Sequence, residues 1–116
     1  MDINDYQKEA AKTDTFNDEL PVTDLTTTGF VEKVLGLSGE AGEVADKIKK
    51  IIRDKDGKLT EEDKQEIALE LGDVLWYLAN ISRVLGIPLE EVATKNLGKL
   101  AARQRNNTIH GSGDHR

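Results

Sequence analysis

A chain of 116 residues is the size of one domain with a single core, which leaves no room for a second catalytic domain. Its 22 Asp plus Glu against 16 Lys plus Arg give a formal charge of −6, which argues against a general DNA or RNA binder, since polymer phosphates require a basic face. The balance still admits one phosphorylated small molecule bridged by a metal ion, while the absence of cysteine excludes disulfides, thiolate nucleophiles and zinc–cysteine sites.

No apolar run approaches the roughly 18 residues of a membrane span. The start Met1-Asp2-Ile3-Asn4-Asp5 lacks a signal peptide's basic and apolar regions, so a cytoplasmic protein with no membrane partner is expected. In chain order, a short first helix is expected over Ile3 to Lys12, followed by a polar Asp- and Thr-rich connection through Thr28. From there to about Arg53, Phe30, Val34, Leu37, Ala41, Val44, Ile48 and Ile51 recur at three and four, the spacing of one helical face. Asp54 to Lys58 is a turn. Thr60-Glu61-Glu62-Asp63 then resembles a capping box, with acids favoured by the positive end of the helix dipole. The third helix runs to about Leu85, where Gly86 caps it, and Pro88 opens a fourth helix reaching about Gln104. No strand alternation is visible. The expected class is all-α, a four-helix bundle-like subunit over residues 1–105 with an irregular tail over 106–116.

The third helix is apolar on nearly every side. Ile67, Leu71, Val74, Leu78, Ile81 and Leu85 share one face and read as a core stripe, Leu69 and Trp76 lie roughly opposite, and Ala68, Gly72 and Ala79 form a strip of small residues. Such a helix is buried on more than one side. One stripe interrupts it, carrying Glu66, Glu70, Asp73, Asn80 and Tyr77. An unpaired buried carboxylate costs several kcal/mol, and Lys64 lies too far back to neutralise both Glu70 and Asp73.

The second helix supplies a matching pair, Glu40 and Glu43, beside its apolar stripe and among Gly36, Gly39 and Gly42. Each interior glycine costs about 1 kcal/mol relative to alanine, so three at this spacing call for a neighbouring helix or a ligand close to the backbone. If the two helices pack antiparallel through these faces, four carboxylates converge and require a cation, and oxygen-only ligation suits Mg2+ or Mn2+ rather than zinc. Plainer readings stand beside this one. Glu43 and Lys47 have the spacing of a surface ion pair, Glu61 to Asp63 are a solvated cap, Trp76 is core or subunit interface, and Lys99 with Arg103 equally fits a solvated basic face.

Glu40-x-x-Glu43 followed by Glu70-Leu71-Gly72-Asp73-Val74-Leu75-Trp76-Tyr77-Leu78 resembles the signature of the MazG-type all-α nucleoside triphosphate pyrophosphohydrolases, and the likeness extends into Lys95-Asn96-Leu97-Gly98-Lys99-Leu100 and Arg103. The resemblance implies that Glu40, Glu43, Glu70 and Asp73 bind Mg2+, with Mn2+ as a substitute, and that a nucleoside or deoxynucleoside triphosphate is hydrolysed to its monophosphate and pyrophosphate. Glu40 or Glu43 would act on the attacking water, and Tyr77, Asn96, Lys99 and Arg103 would bind substrate. The superfamily spans several nucleotide substrates, so the base stays open. The Gly111 to Arg116 tail reads either as a lid over the nucleotide or as a disordered end. One chain cannot cover both apolar sides of the third helix, so a homodimer or homotetramer is expected. The competing function is a non-enzymatic oligomerisation or regulatory module with a structural cation.

Overall fold

The computed structural model describes residues 1–16 and 20–115, and the described residues form four helices and no strand: α1 (Ile3–Ala11), α2 (Thr28–Lys55), α3 (Glu61–Val84) and α4 (Leu89–Arg105). The all-α expectation holds. Part of the polar connection after α1, and the tail residue Arg116, lie outside the described residues. Helix ends follow local chemistry. Asp2 caps α1 by accepting from the Asp5 backbone N–H at 2.8 Å, and α2 stops where Asp56 and Gly57 both take positive φ, 52° and 75°. The capping box of α3 is complete. Asp63 N–H donates to Thr60 Oγ1 and Thr60 N–H donates to Asp63 Oδ2, each at 3.1 Å.

The short connection 56–60 folds α3 back along α2, and this is the most extensive contact in the molecule. α1 packs against α3 and α4. Helix α4 touches α1 and α3 but makes no contact with α2. The buried apolar cluster is correspondingly small, Ala10, Ala79 and Leu89, with Tyr6 and Trp76 packed on it.

Polar side chains also tie these elements together. Buried Gln7 of α1 donates to the carbonyls of Ala79 (3.2 Å) and Ile87 (3.0 Å) and accepts from the Leu89 N–H (3.0 Å), tying α1 to the end of α3 and the start of α4. A second junction lies just after α1. The carboxylate of Asp14, 1% exposed, receives Lys33 Nζ of α2 at 3.1 Å and Arg83 Nη2 of α3 at 2.6 Å. Arg83 Nε donates to Asn80 Oδ1, and the Lys33 ammonium lies 4.6 Å from the Phe16 ring centroid. Removing a partner from such a buried pair typically costs about 3–5 kcal/mol, so this junction fixes where the chain after α1 runs.

Two expectations change in the structure. Leu71, Leu78 and Leu85, read as a core stripe, are exposed, and the wholly buried positions of α3 lie at its C-terminal end: Ala79, Asn80, Ser82 and Val84. The cause is the open arrangement: α2 has only α3 beside it, and the radius of gyration is 17.0 Å against about 13 Å for a compact chain of this length. Second, of Gly36, Gly39 and Gly42 in α2 only Gly36 meets a close neighbour; side chains at Gly39 and Gly42 would enter open space. No described helix is long and apolar enough to cross a membrane.

Candidate metal centre

Glu40 sits midway along α2, and Glu70 and Asp73, one helical turn apart, present carboxylates from α3 towards it. Oxygens of all three lie within 4.8 Å of one another. Among the described residues neither Glu40 nor Asp73 has an ion-pair partner, and Glu70 has only Lys47, whose ammonium is 3.6 Å from Glu70 and 3.2 Å from Glu66. Partial burial, then the negative charges of Asp73, Glu70 and Glu43, raise the Glu40 carboxyl above its ordinary pKa. The trio therefore carries more negative charge than its neighbours neutralise. A divalent cation relieves that repulsion, and three carboxylate donors without nitrogen or sulfur suit a hard ion such as Mg2+ or Mn2+.

Beside the trio lies a pocket of about 260 Å³ lined by Thr13, Glu40, Asp73, Trp76 and Tyr77. Its walls are built from sequence features with distinct causes. A Cβ at Gly36 would collide with the Tyr77 ring, so the glycine is what lets that ring lie against α2. Trp76 and Tyr77 meet edge to face, with centroids 4.9 Å apart and planes at 82°. The Trp76 indole N–H donates to Thr13 Oγ1 at 2.8 Å, and Thr13 immediately precedes the pinned Asp14, so the buried ion cluster also holds this wall in place. Tyr6 of α1 stands near enough that burial and the Asp73 charge raise its phenol pKa.

The candidate residues divide into three sets. Glu40, Glu70 and Asp73 are brought together, and Tyr77 lines the adjoining pocket. Glu43 is exposed one turn further along α2, outside the group, though its charge reaches Glu40. Asn96, Lys99 and Arg103 lie on α4, none of them lining the pocket: Asn96 is exposed, while Lys99 and Arg103 hold Asp114 of the tail, at 2.9 and 3.1 Å. Lys47 was legible, lying seven residues after Glu40 and hence on the same face, but its helix spacing pointed to Glu43 instead of across to α3. Thr13 was not legible. It follows the first helix in an irregular segment and enters the site only because Asp14 is anchored from two other helices. A groove further along α2 and α3 carries Lys47, Lys50 and Lys55, yet each is already paired with an acid: Glu66 and Glu70, Asp46, and Asp63 respectively.

Fold and site together give an all-helical chain in which three carboxylates, set between two helices, could hold a hard divalent cation. A family model for the MazG nucleotide pyrophosphohydrolase domain matches residues 31–108, well over half of the chain, and the chain belongs to that family. It is also similar to the Gene 37 protein of Mycobacterium phage L5, with 48% identity over 88 residues that cover 76% of this chain and 77% of the phage protein. No solved structure matches. The matched span contains the carboxylate trio, Glu43, Tyr77 and the α4 cations; Thr13 and Asp14 precede it, and Asp114 follows it.

Crowding makes a direct prediction. In metal-free buffer at neutral pH, Glu40→Gln melts at or above the wild-type temperature, because one of the mutually repelling charges is gone. A carboxyl whose folded pKa is raised penalises the fold only while ionised, so the gap closes as falling pH protonates Glu40 in the wild type. Saturating Mg2+ raises the wild-type melting temperature by several degrees and leaves Glu40→Gln unmoved. Equal Mg2+ shifts in the two proteins, read by differential scanning calorimetry, contradict the assignment.

Proposed function

We propose that this chain hydrolyses a nucleoside or deoxynucleoside triphosphate to the monophosphate and pyrophosphate with Mg2+, in nucleotide-pool housekeeping in the cytoplasm. The observation that carries the reading is the carboxylate trio of Glu40, Glu70 and Asp73 opening onto the Thr13, Trp76 and Tyr77 pocket. Membership of the MazG pyrophosphohydrolase family supports the reaction class.

In this reading Glu40, Glu70 and Asp73 hold the cation. When bound, it supplies charge neutralisation and Lewis acidity toward the triphosphate, with Mn2+ as a substitute. Glu43, outside the trio and exposed, is the carboxylate left to orient the attacking water and take its proton. Water oxygen bonds to phosphorus, the anhydride between the α and β phosphates breaks, and its bridging oxygen leaves with one product. Tyr77 and Trp76 offer aromatic edges and faces to the nucleoside, which accept any base. Lys99, Arg103 and Asn96 contact the phosphate chain.

A pocket of about 260 Å³ falls short of the roughly 300–1,000 Å³ typical of small-molecule sites. Helix α4, with its cations, does not reach α2 within one chain. Leu35, Ile48, Ile52, Leu69, Leu71 and Leu97 are also exposed, and burying each large apolar side chain is worth about 1.5–3 kcal/mol. We therefore place the complete site near a boundary between copies, in a homodimer or homotetramer. Sedimentation equilibrium at micromolar concentration then shows an assembly, and a monomer there removes this part of the proposal.

A panel of common and modified nucleotides tests the chemistry. With Mg2+ present, at least one substrate releases pyrophosphate. Glu43→Gln lowers kcat by about 10²–10⁴-fold, the range of a lost general base, while keeping the Mg2+-induced gain in melting temperature. Asp73→Ala loses both. No release from any nucleotide, with metal-dependent stability intact, favours a regulatory module with a structural cation.

A further inference from the structure

The unabsorbed feature of the molecule is the contact between the segment after α4 and the two cations of α4. Arg103 is 6% exposed, and its Nη2 donates to Asp114 Oδ1 at 3.1 Å and to the Gly113 carbonyl at 3.3 Å. Lys99 Nζ reaches the same Asp114 oxygen at 2.9 Å. The buried Nε of Arg103 has no hydrogen-bond partner among the described residues. Nε and Nη2 form one edge of a guanidinium, the fork that takes two oxygens of a carboxylate or phosphate side by side. Other arginines here fill that edge. Arg53 places Nε and Nη2 on the two oxygens of Asp54 at 2.7 and 2.9 Å, and Arg83 places them on Asn80 and Asp14 at 3.1 and 2.6 Å. Arg103 has its edge half filled, with both cationic contacts falling on a single carboxylate oxygen.

We infer that Lys99 and Arg103 form an oxyanion site for a phosphate or pyrophosphate group, and that Asp114 is a competitor built into the chain which occupies it until such a group arrives. The inference rests on the reading above, in which these two cations contact the phosphate chain, and adds to it a regulatory residue outside the family-matched span. A carboxylate carries one charge and two oxygens in a plane. A phosphate group carries up to two charges and three terminal oxygens, so it can take Lys99 Nζ, Arg103 Nη2 and the orphaned Nε together. Asp114 is itself exposed, and it is tethered to α4 by a short segment rich in small residues, which lets it leave the site. A short flexible tether keeps it at an effective concentration on the order of millimolar, so a loose oxyanion well below that level is held off. A nucleotide anchored by other contacts displaces it, and the returning carboxylate helps expel pyrophosphate after hydrolysis.

The test is calorimetric titration of inorganic pyrophosphate into the full chain without divalent metal, which keeps the acidic centre from contributing, with melting temperatures measured in parallel. Asp114→Asn binds pyrophosphate roughly five- to tenfold more tightly than wild type, as expected when a millimolar tethered competitor is removed. Asp114→Lys binds at least as tightly as Asp114→Asn, and Asp114→Asn combined with Lys99→Gln loses the gain. Unchanged or weaker binding in both single variants overturns the inference, because Asp114 then serves only as a structural partner of Arg103; so does an absence of pyrophosphate binding in every protein. The two readings fail separately. Tighter binding in a chain that hydrolyses no nucleotide sinks the enzyme reading alone, whereas intact turnover with unchanged pyrophosphate affinity sinks the competitor alone.

Discussion

Three carboxylates within 4.8 Å of one another, two of them half-buried and Asp73 exposed, repel one another, and among the described residues Lys47 is the one cation paired with any of them. The α2–α3 pairing is the largest contact in the fold, yet it sets Glu40 against Glu70 and Asp73, and partial burial together with those charges pushes the Glu40 carboxyl towards its protonated form. Like charges held this close favour neither partner's ionised form. A cation bound between the three carboxylates would relieve that repulsion.

The opposite solution is found about three helical turns along α3. At Asp14, Lys33 and Arg83 the buried charges are matched within the chain, and the match determines the course of the segment after α1. That segment delivers Thr13 to Trp76, and Trp76 to the edge of the acidic pocket. One charge cluster is neutralised by its own lysine and arginine; the other keeps an excess of negative charge. The short stretch between them is what converts a pair of helices into a pocket with walls.

Much of the architecture was legible in the sequence, for local reasons. The α3 capping box, the positive-φ glycine at Gly86 and the 3.6-residue periodicity of α2 are dictated by neighbours a few residues away, and helix bounds came within about two residues. That Glu70 and Asp73 lie close to Glu40 was legible because carboxylates in an otherwise apolar helix stand out. What was not legible depends on distant contacts. Periodicity alone could not say that Leu71, Leu78 and Leu85 remain uncovered, because that depends on how many helices surround α3. Glu43 separated from the trio for a similar reason: residues three apart share a face only approximately, and the inter-helix approach selects one of them. Gly36, Gly39 and Gly42 looked equivalent in sequence; only the first meets an aromatic ring.

Glu40, Glu70 and Asp73 are proposed to form one centre for a hard divalent cation. Mn2+ is paramagnetic and can stand in for Mg2+, so electron paramagnetic resonance reports its free and bound forms directly. Titrated into the wild-type protein, Mn2+ is predicted to fill a saturable site, and Asp73→Asn, with its helical circular dichroism unchanged, is predicted to bind at least roughly tenfold more weakly. Equal Mn2+ affinity in the two proteins would contradict the claim.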